Sequence, residues 1–172
     1  MGIFLADKGK IGFELLLALA VIARPLIKWI FPGLASIEPI IPLAILGCIL
    51  YGPQKGSIIG AGGYIGSNLL LASLGPWTIP QAIAGLIAGF LPSMVKRKGN
   101  SSTDFVWLCV LGTIIFEFLM NFWGGGFEAG YFANSITFGF THIIGNVVFA
   151  VLLSGSLPAA SEKKSEKKEE KK

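Results

Sequence analysis

Residues 104–123 read DFVWLCVLGTIIFEFLMNFW, and this stretch decides the fold class. Between Asp104 and Trp123 the only charged residue is Glu117. A helix needs about 20 predominantly apolar residues to cross the hydrocarbon of a bilayer, and this stretch supplies them. The rest of the chain is similar. Of its 172 residues, 53% are hydrophobic and 14% charged, against roughly 25% charged in soluble domains. Six Lys and four Glu are gathered in Ser161–Lys172, which leaves the preceding chain nearly free of charge.

Working outward from residues 104–123, apolar stretches cover approximately 11–31, 37–52, 56–75, 79–95 and 133–154. Pro and Gly punctuate them at Phe31-Pro32-Gly33, Tyr51-Gly52-Pro53-Gln54-Lys55-Gly56 and Gly75-Pro76-Trp77. A basic break, Lys96-Arg97-Lys98-Gly99-Asn100, and a Gly-rich one, Gly124-Gly125-Gly126-Phe127-Glu128, complete the set. The expected fold is an all-α integral membrane protein, a six-transmembrane-helix bundle over residues 1–157. A Lys/Glu-rich tail, 158–172, has nothing to bury and is expected to be disordered.

Lys8, Lys10, Lys55, Lys96–Lys98 and the tail then share one side, with Glu38, Gly75-Pro76-Trp77 and Glu128 on the other. Basic residues mark the cytoplasmic side, so both termini are expected to be cytoplasmic and the protein a multi-pass component of the cell membrane. The formal charge of +4 does not indicate nucleic acid, because the cations sit at segment ends. Arg24 and Lys28, in the outer half of the first span, are the exceptions. They either snorkel to lipid head groups or recognise an anion. Cys48 and Cys109 lie in apolar runs without metal-ligand spacing and read as small hydrophobes.

An ionisable side chain inside a membrane is costly and marks a candidate site. Glu117 lies about 20 Å into its span. Thr113 and Asn121 stand four residues before and after it, so the three share a face. The sixth span repeats the device with His142, the chain's single histidine, and with Asn146 and Ser135. Two polar stripes on neighbouring antiparallel helices face each other or a common cavity. They act as interhelical ties, as a ligand pocket, or as a proton relay through Glu117 and His142. Trp77, Phe122, Trp123, Phe127, Tyr131 and Phe132 gather at the outer side, as an interfacial belt or as pocket walls. Gly124–Gly126 would lend hinge freedom to a lid.

Small residues recur at four-residue spacing in the third span, at Gly56/Gly60 and Gly62/Gly66, and in the fourth, at Ala84/Ala88 and Gly85/Gly89. Such spacing lets helix backbones approach closely, either within this bundle or against another membrane subunit. No HExxH, GxSxG or phosphate-binding loop is present.

The turn Leu50-Tyr51-Gly52-Pro53-Gln54-Lys55-Gly56 before a Gly-rich third span carries a resemblance. So do Ile83-Ala84-Gly85-Leu86-Ile87-Ala88-Gly89, the run from Gly112-Thr113 to Glu117 and Asn121, and His142 to Asn146. Over residues 10–155 the chain resembles the substrate-binding S components of energy-coupling factor transporters. The resemblance implies capture of a small water-soluble, vitamin-like nutrient at the outer face, with no cofactor and no enzymatic activity in this chain. A membrane coupling subunit and two cytoplasmic ATPases would drive uptake. The implied pocket takes Glu117, Asn121, His142, Asn146, Trp77 and Trp123, with Thr113 and Arg24 beside it. Glu117 favours a cationic ligand and Arg24 a carboxylate or phosphate. The implied docking face takes Ala20 and Ala23 of the first span, which lack the family's four-residue alanine spacing, and Gly60, Gly62 and Gly66 of the third. The other readings are an accessory subunit with no ligand of its own and an intramembrane enzyme using His142 and Glu117.

Overall fold

A computed structural model describes residues 11–33, 36–95, 101–126 and 128–157, without the side chains of Ala129, Tyr131, Phe132 and Asn134. Lys8, Lys10, the Lys96–Lys98 cluster, Phe127, the tail and the aromatic rings of Tyr131 and Phe132 lie outside the described part. The described residues form six α-helices and no strand: α1 (Phe13–Ile30), α2 (Ile40–Tyr51), α3 (Pro53–Leu70), α4 (Thr78–Met94), α5 (Ser102–Gly125) and α6 (Ala129–Leu153). A single 3₁₀ turn, Ser154–Ser156, follows α6.

Helix α2 is apolar on every side, and Ile40 to Cys48 are all buried. A helix without a polar face belongs at the centre of a bundle, and the other five helices all pack on it. Each of these five turns an apolar stripe outward at helical spacing. Examples are Leu15, Leu19, Ile22, Leu26 and Trp29 on α1, and Ile79, Ile83, Leu86, Phe90 and Met94 on α4. Trp107, Leu111, Ile114, Phe118 and Phe122 do the same on α5, and Ile136, Phe140, Ile144, Val148 and Val151 on α6. Helices α5 and α6 are long and apolar enough to cross a membrane.

The second stretch forms less helix than expected. Helix α2 has 12 residues, a rise of about 18 Å, against about 30 Å of hydrocarbon. Pro39 disfavours helical geometry at Glu38 before it. Pro42 falls in the first turn, where its missing N–H removes no intrahelical bond. The non-helical segment 36–39 therefore dips into the bundle. Ile37 reaches the flank of α6 at Gly145, and Glu38 comes beside His142. Glu38, expected on the outer side, is 4% exposed inside the bundle.

Helix α3 begins at Pro53 rather than at 56, because proline suits the first helical position. It stops at Leu70 rather than at 75. Ala72 takes a left-handed conformation (φ 49°), Ser73 N–H donates to the Asn68 carbonyl at 2.9 Å, and Ala72 N–H donates to that of Leu69 at 3.0 Å. This is the Schellman closure, with alanine where glycine is usual. Helix α6 begins at Ala129, and Gly124 and Gly125 continue α5 as helix. The glycine run is therefore not the loop that a lid requires.

Glycines weld the α3–α4 seam. A Cβ at Gly60 would collide with the Gly85 carbonyl, and one at Gly89 with the Gly56 backbone. The register 56/89 and 60/85 makes the pair antiparallel. Gly62, Gly63 and Gly66 receive Leu17, Ala20 and Val21 of α1. Gly60, Gly62, Gly66 and Ala20 serve contacts inside this chain, because only small residues fit where its own helices cross so closely. Ala23, on the same helix as Ala20, is half-buried.

Candidate functional site

At the end of the bundle where segment 36–39 enters, a cavity of about 300 Å³ opens among α1, α4, α5 and α6. Its polar lining is Arg24, Lys28, Ser36, Glu38, Gln81, Glu117, Asn121, Ser135 and His142, and its apolar lining is Phe116, Met120 and Phe138. The volume lies at the small end of the range for ligand sites, and an apolar wall with a few fixed polar groups is typical of them.

Its charges are arranged from the inside outward. Arg24 is 6% exposed. Its Nε lies 2.5 Å from Glu38 Oε2, and its Nη1 donates to Ser67 Oγ at 3.1 Å and to Asn68 Oδ1 at 2.5 Å. Asn68 Nδ2 then donates to Gln81 Oε1 at 2.7 Å and to Thr78 Oγ1 at 3.1 Å. A buried charge persists only when it is paired and hydrogen-bonded; Arg24 is paired with Glu38 and hydrogen-bonded through Nη1, while its Nε makes the ion pair without hydrogen-bond geometry. The network also ties α1, α3, α4 and the entry to α2 into one wall.

The second wall comes from α5 and α6. His142 Nδ1 lies 2.6 Å from Glu117 Oε1. This contact joins the two helices, and which atom donates in it depends on the imidazole tautomer. His142 Nε2, buried and without a hydrogen-bond partner, lies 3.9 Å from Glu38 Oε1 and brings the two walls together. Asn121 Nδ2 donates to the Glu117 backbone carbonyl at 2.7 Å. Beneath the polar groups, Tyr64 stacks on Phe116 with ring centroids 5.1 Å apart, and Phe116 meets the His142 ring edge-on at 4.8 Å. The Arg24 guanidinium lies 6.0 Å from the Tyr64 centroid, within cation–π range. Of these rings, Phe116 and His142 line the cavity, and Tyr64 lies buried behind them.

Of the residues singled out from the sequence, Glu117, Asn121, His142 and Arg24 meet at the cavity. Thr113 and Asn146 do not line it. They lie deeper between α5 and α6, where Asn146 Nδ2 donates to Thr113 Oγ1 at 2.8 Å and Thr113 Oγ1 donates to the Cys109 carbonyl at 2.7 Å. Trp77 and Trp123 stand outside the cavity, and each is about half exposed. Trp77 Nε1 donates to the Ser73 carbonyl at 3.0 Å.

Lys28, which the sequence offers with Arg24 as an anion-recognition element, lines the cavity, and Glu38, Gln81 and Asn68 belong to the same polar system although sequence reasoning did not assign them to it. One signal was available. Asn68 and Gln81 are amides in or at the ends of apolar stretches, where a bare amide is costly. Glu38 carried no such signal, because nothing local reveals that segment 36–39 dives inward. Among the described residues no cluster of His, Cys, Asp or Glu is suited to a metal. No family model, curated protein or solved structure matches this chain.

Proposed function

We propose that this protein is a multi-pass membrane subunit that captures a small, polar, vitamin-like nutrient at its outer face for uptake powered by partner subunits. The observation that carries the reading is the cavity, in which four charged side chains line about 300 Å³ of space inside an otherwise apolar helical bundle. Apolar stripes on five helices favour lipid around the bundle, since soluble monomers rarely expose contiguous apolar patches of that extent. The non-helical backbone at 36–39 fits the same setting. At membrane depth such backbone is tolerated where it is buried in protein or lines a cavity. With six helices, and with Lys55 at the α2–α3 turn, the opposite end of α2 from segment 36–39, the cavity would open outward and both termini would lie in the cytoplasm. A membrane coupling subunit and two cytoplasmic ATPases would supply the energy, and this chain would perform no chemistry of its own.

One observation favours an accessory subunit without a ligand. Thr113 and Asn146 bond to each other between α5 and α6 with no cavity between them, as structural ties would. The cavity one turn away weighs for capture.

Native mass spectrometry of the full chain, purified gently from its host membrane, distinguishes the two. Capture predicts a bound small molecule that is lost in Glu117→Ala. An empty protein that copurifies only with other membrane subunits would favour the accessory reading.

A further inference from the structure

The hydrogen-bond inventory around the cavity has a polarity. Arg24 can only donate, so Asn68 must present Oδ1 to it and Nδ2 to Gln81. Gln81 must in turn present Oε1 to Asn68, which leaves the Gln81 Nε2 amide for the cavity. Lys28 lines the same space and has no acidic partner within ion-pair distance among the described residues. Arg24 is already matched by Glu38. The α1 and α4 side of the cavity therefore offers donors and one unmatched positive charge.

The α5 side is the reverse. The Asn121 amide nitrogen is engaged by a backbone carbonyl, so its Oδ1 remains to accept. Glu117 meets His142 through Oε1, which leaves Oε2 as an acceptor with the carboxylate charge. Phe116, Met120 and Phe138 separate the two sides with an apolar surface.

We infer that the ligand is a compact zwitterion: an anionic carboxylate-like group bound by Lys28 and Gln81, and a protonated amine bound by Glu117 and Asn121, on an apolar body. This rests on the capture reading and gives it a substrate class. It also removes the conflict between Glu117 and Arg24 as indicators of ligand charge. Arg24 is neutralised within the protein, and the cation facing the ligand is Lys28. With two cations and two carboxylates around it, the cavity best accepts a ligand of no net charge, because burying an unmatched charge is costly.

Three probes of nearly equal size separate the charge classes: para-aminomethylbenzoate, para-toluate and para-methylbenzylamine. Thermal unfolding of the full-length protein in detergent is measured with each at the same millimolar concentration. The zwitterion is expected to raise the melting temperature and the two singly charged probes are not. Lys28→Gln and Glu117→Gln are each expected to weaken the zwitterion by about 10- to 100-fold in apparent Kd, as loss of a charge-assisted bond does. Lys28→Gln, which breaks no ion pair among the described residues, should melt without ligand close to the parent, and each variant's ligand-induced shift is read against its own ligand-free melting temperature. Stabilisation by para-toluate or para-methylbenzylamine equal to that by the zwitterion would overturn the class and leave capture standing. So would zwitterion binding indifferent to Lys28→Gln. No stabilisation by any probe would also overturn it, and the mass measurement on host-purified protein then decides separately whether capture survives.

Discussion

The α3–α4 seam and the α5–α6 seam both join antiparallel neighbours, by opposite means. Across the first, Gly56 and Gly60 lie on the backbone of Gly89 and Gly85, and no side chain fits between. Across the second, Thr113 meets Asn146 and Glu117 meets His142, so polar side chains hold the helices at arm's length. Close packing without side chains closes a bundle. A cavity forms where large and polar groups keep helices apart, and the end of the second seam that faces α1 and segment 36–39 is such a place.

The largest effect is expected where the polar side loses half of a pair. Arg24→Met would strand Glu38 in the interior at a cost of about 3–5 kcal/mol. Adding Glu38→Gln should restore much of it, and a double-mutant cycle on melting free energies measures the coupling. If the two losses simply add, the pair does not stabilise the wall.

On the glycine side, Gly60→Val forces a side chain into the Gly85 backbone and should cost about 3 kcal/mol, seen as reduced folded yield and melting temperature. A variant that melts like the parent would mean that this seam has slack. Binding sharpens the contrast further. Asn121→Ala should weaken retention of the bound molecule about tenfold, since a buried bond to a charged group is worth roughly 1.5–3 kcal/mol. Thr113→Val, on the same helix face but below the cavity, should cost only about 0.6 kcal/mol, the average for an interhelical polar contact, and leave retention unchanged. The smallest effect belongs to Trp77→Phe and Trp123→Phe. Neither ring reaches the cavity, so a calorimetric Kd should move less than about twofold, as surface substitutions do. A larger change would bring the aromatic rim into the site.

Much of the site was legible because it obeys helical periodicity. Glu117 and Asn121 stand at i and i+4 on one helix face, and His142 lies on the neighbouring antiparallel helix, so periodicity alone brings the three together. The same periodicity groups Thr113 and Asn146 with them, and the structure sets these two deeper between α5 and α6. Sharing a face fixes a direction around the helix axis but not a depth along it, and these two lie below the opening. Trp77 and Trp123 were close in sequence to the stripes, and loop proximity does not aim a ring. The small-residue pattern was read correctly as a means of close approach, but its partner was not written in it. A glycine stripe fits α4 of the same chain as well as a helix of another.

The sequence by itself determined what local chemistry dictates. Long apolar runs broken by Pro and Gly could only be helices, and the rare ionisable residues within them had to lie where partners could satisfy them. The tertiary structure alone decided which partners those were. Glu38 reaches Arg24 and His142 because Pro39 delays α2 and segment 36–39 descends as non-helical chain. The cavity exists because residues from five separate stretches converge at one depth. Those distances depend on how far each helix slides and rotates against its neighbours, and that is settled by packing across the whole bundle, which no single stretch encodes.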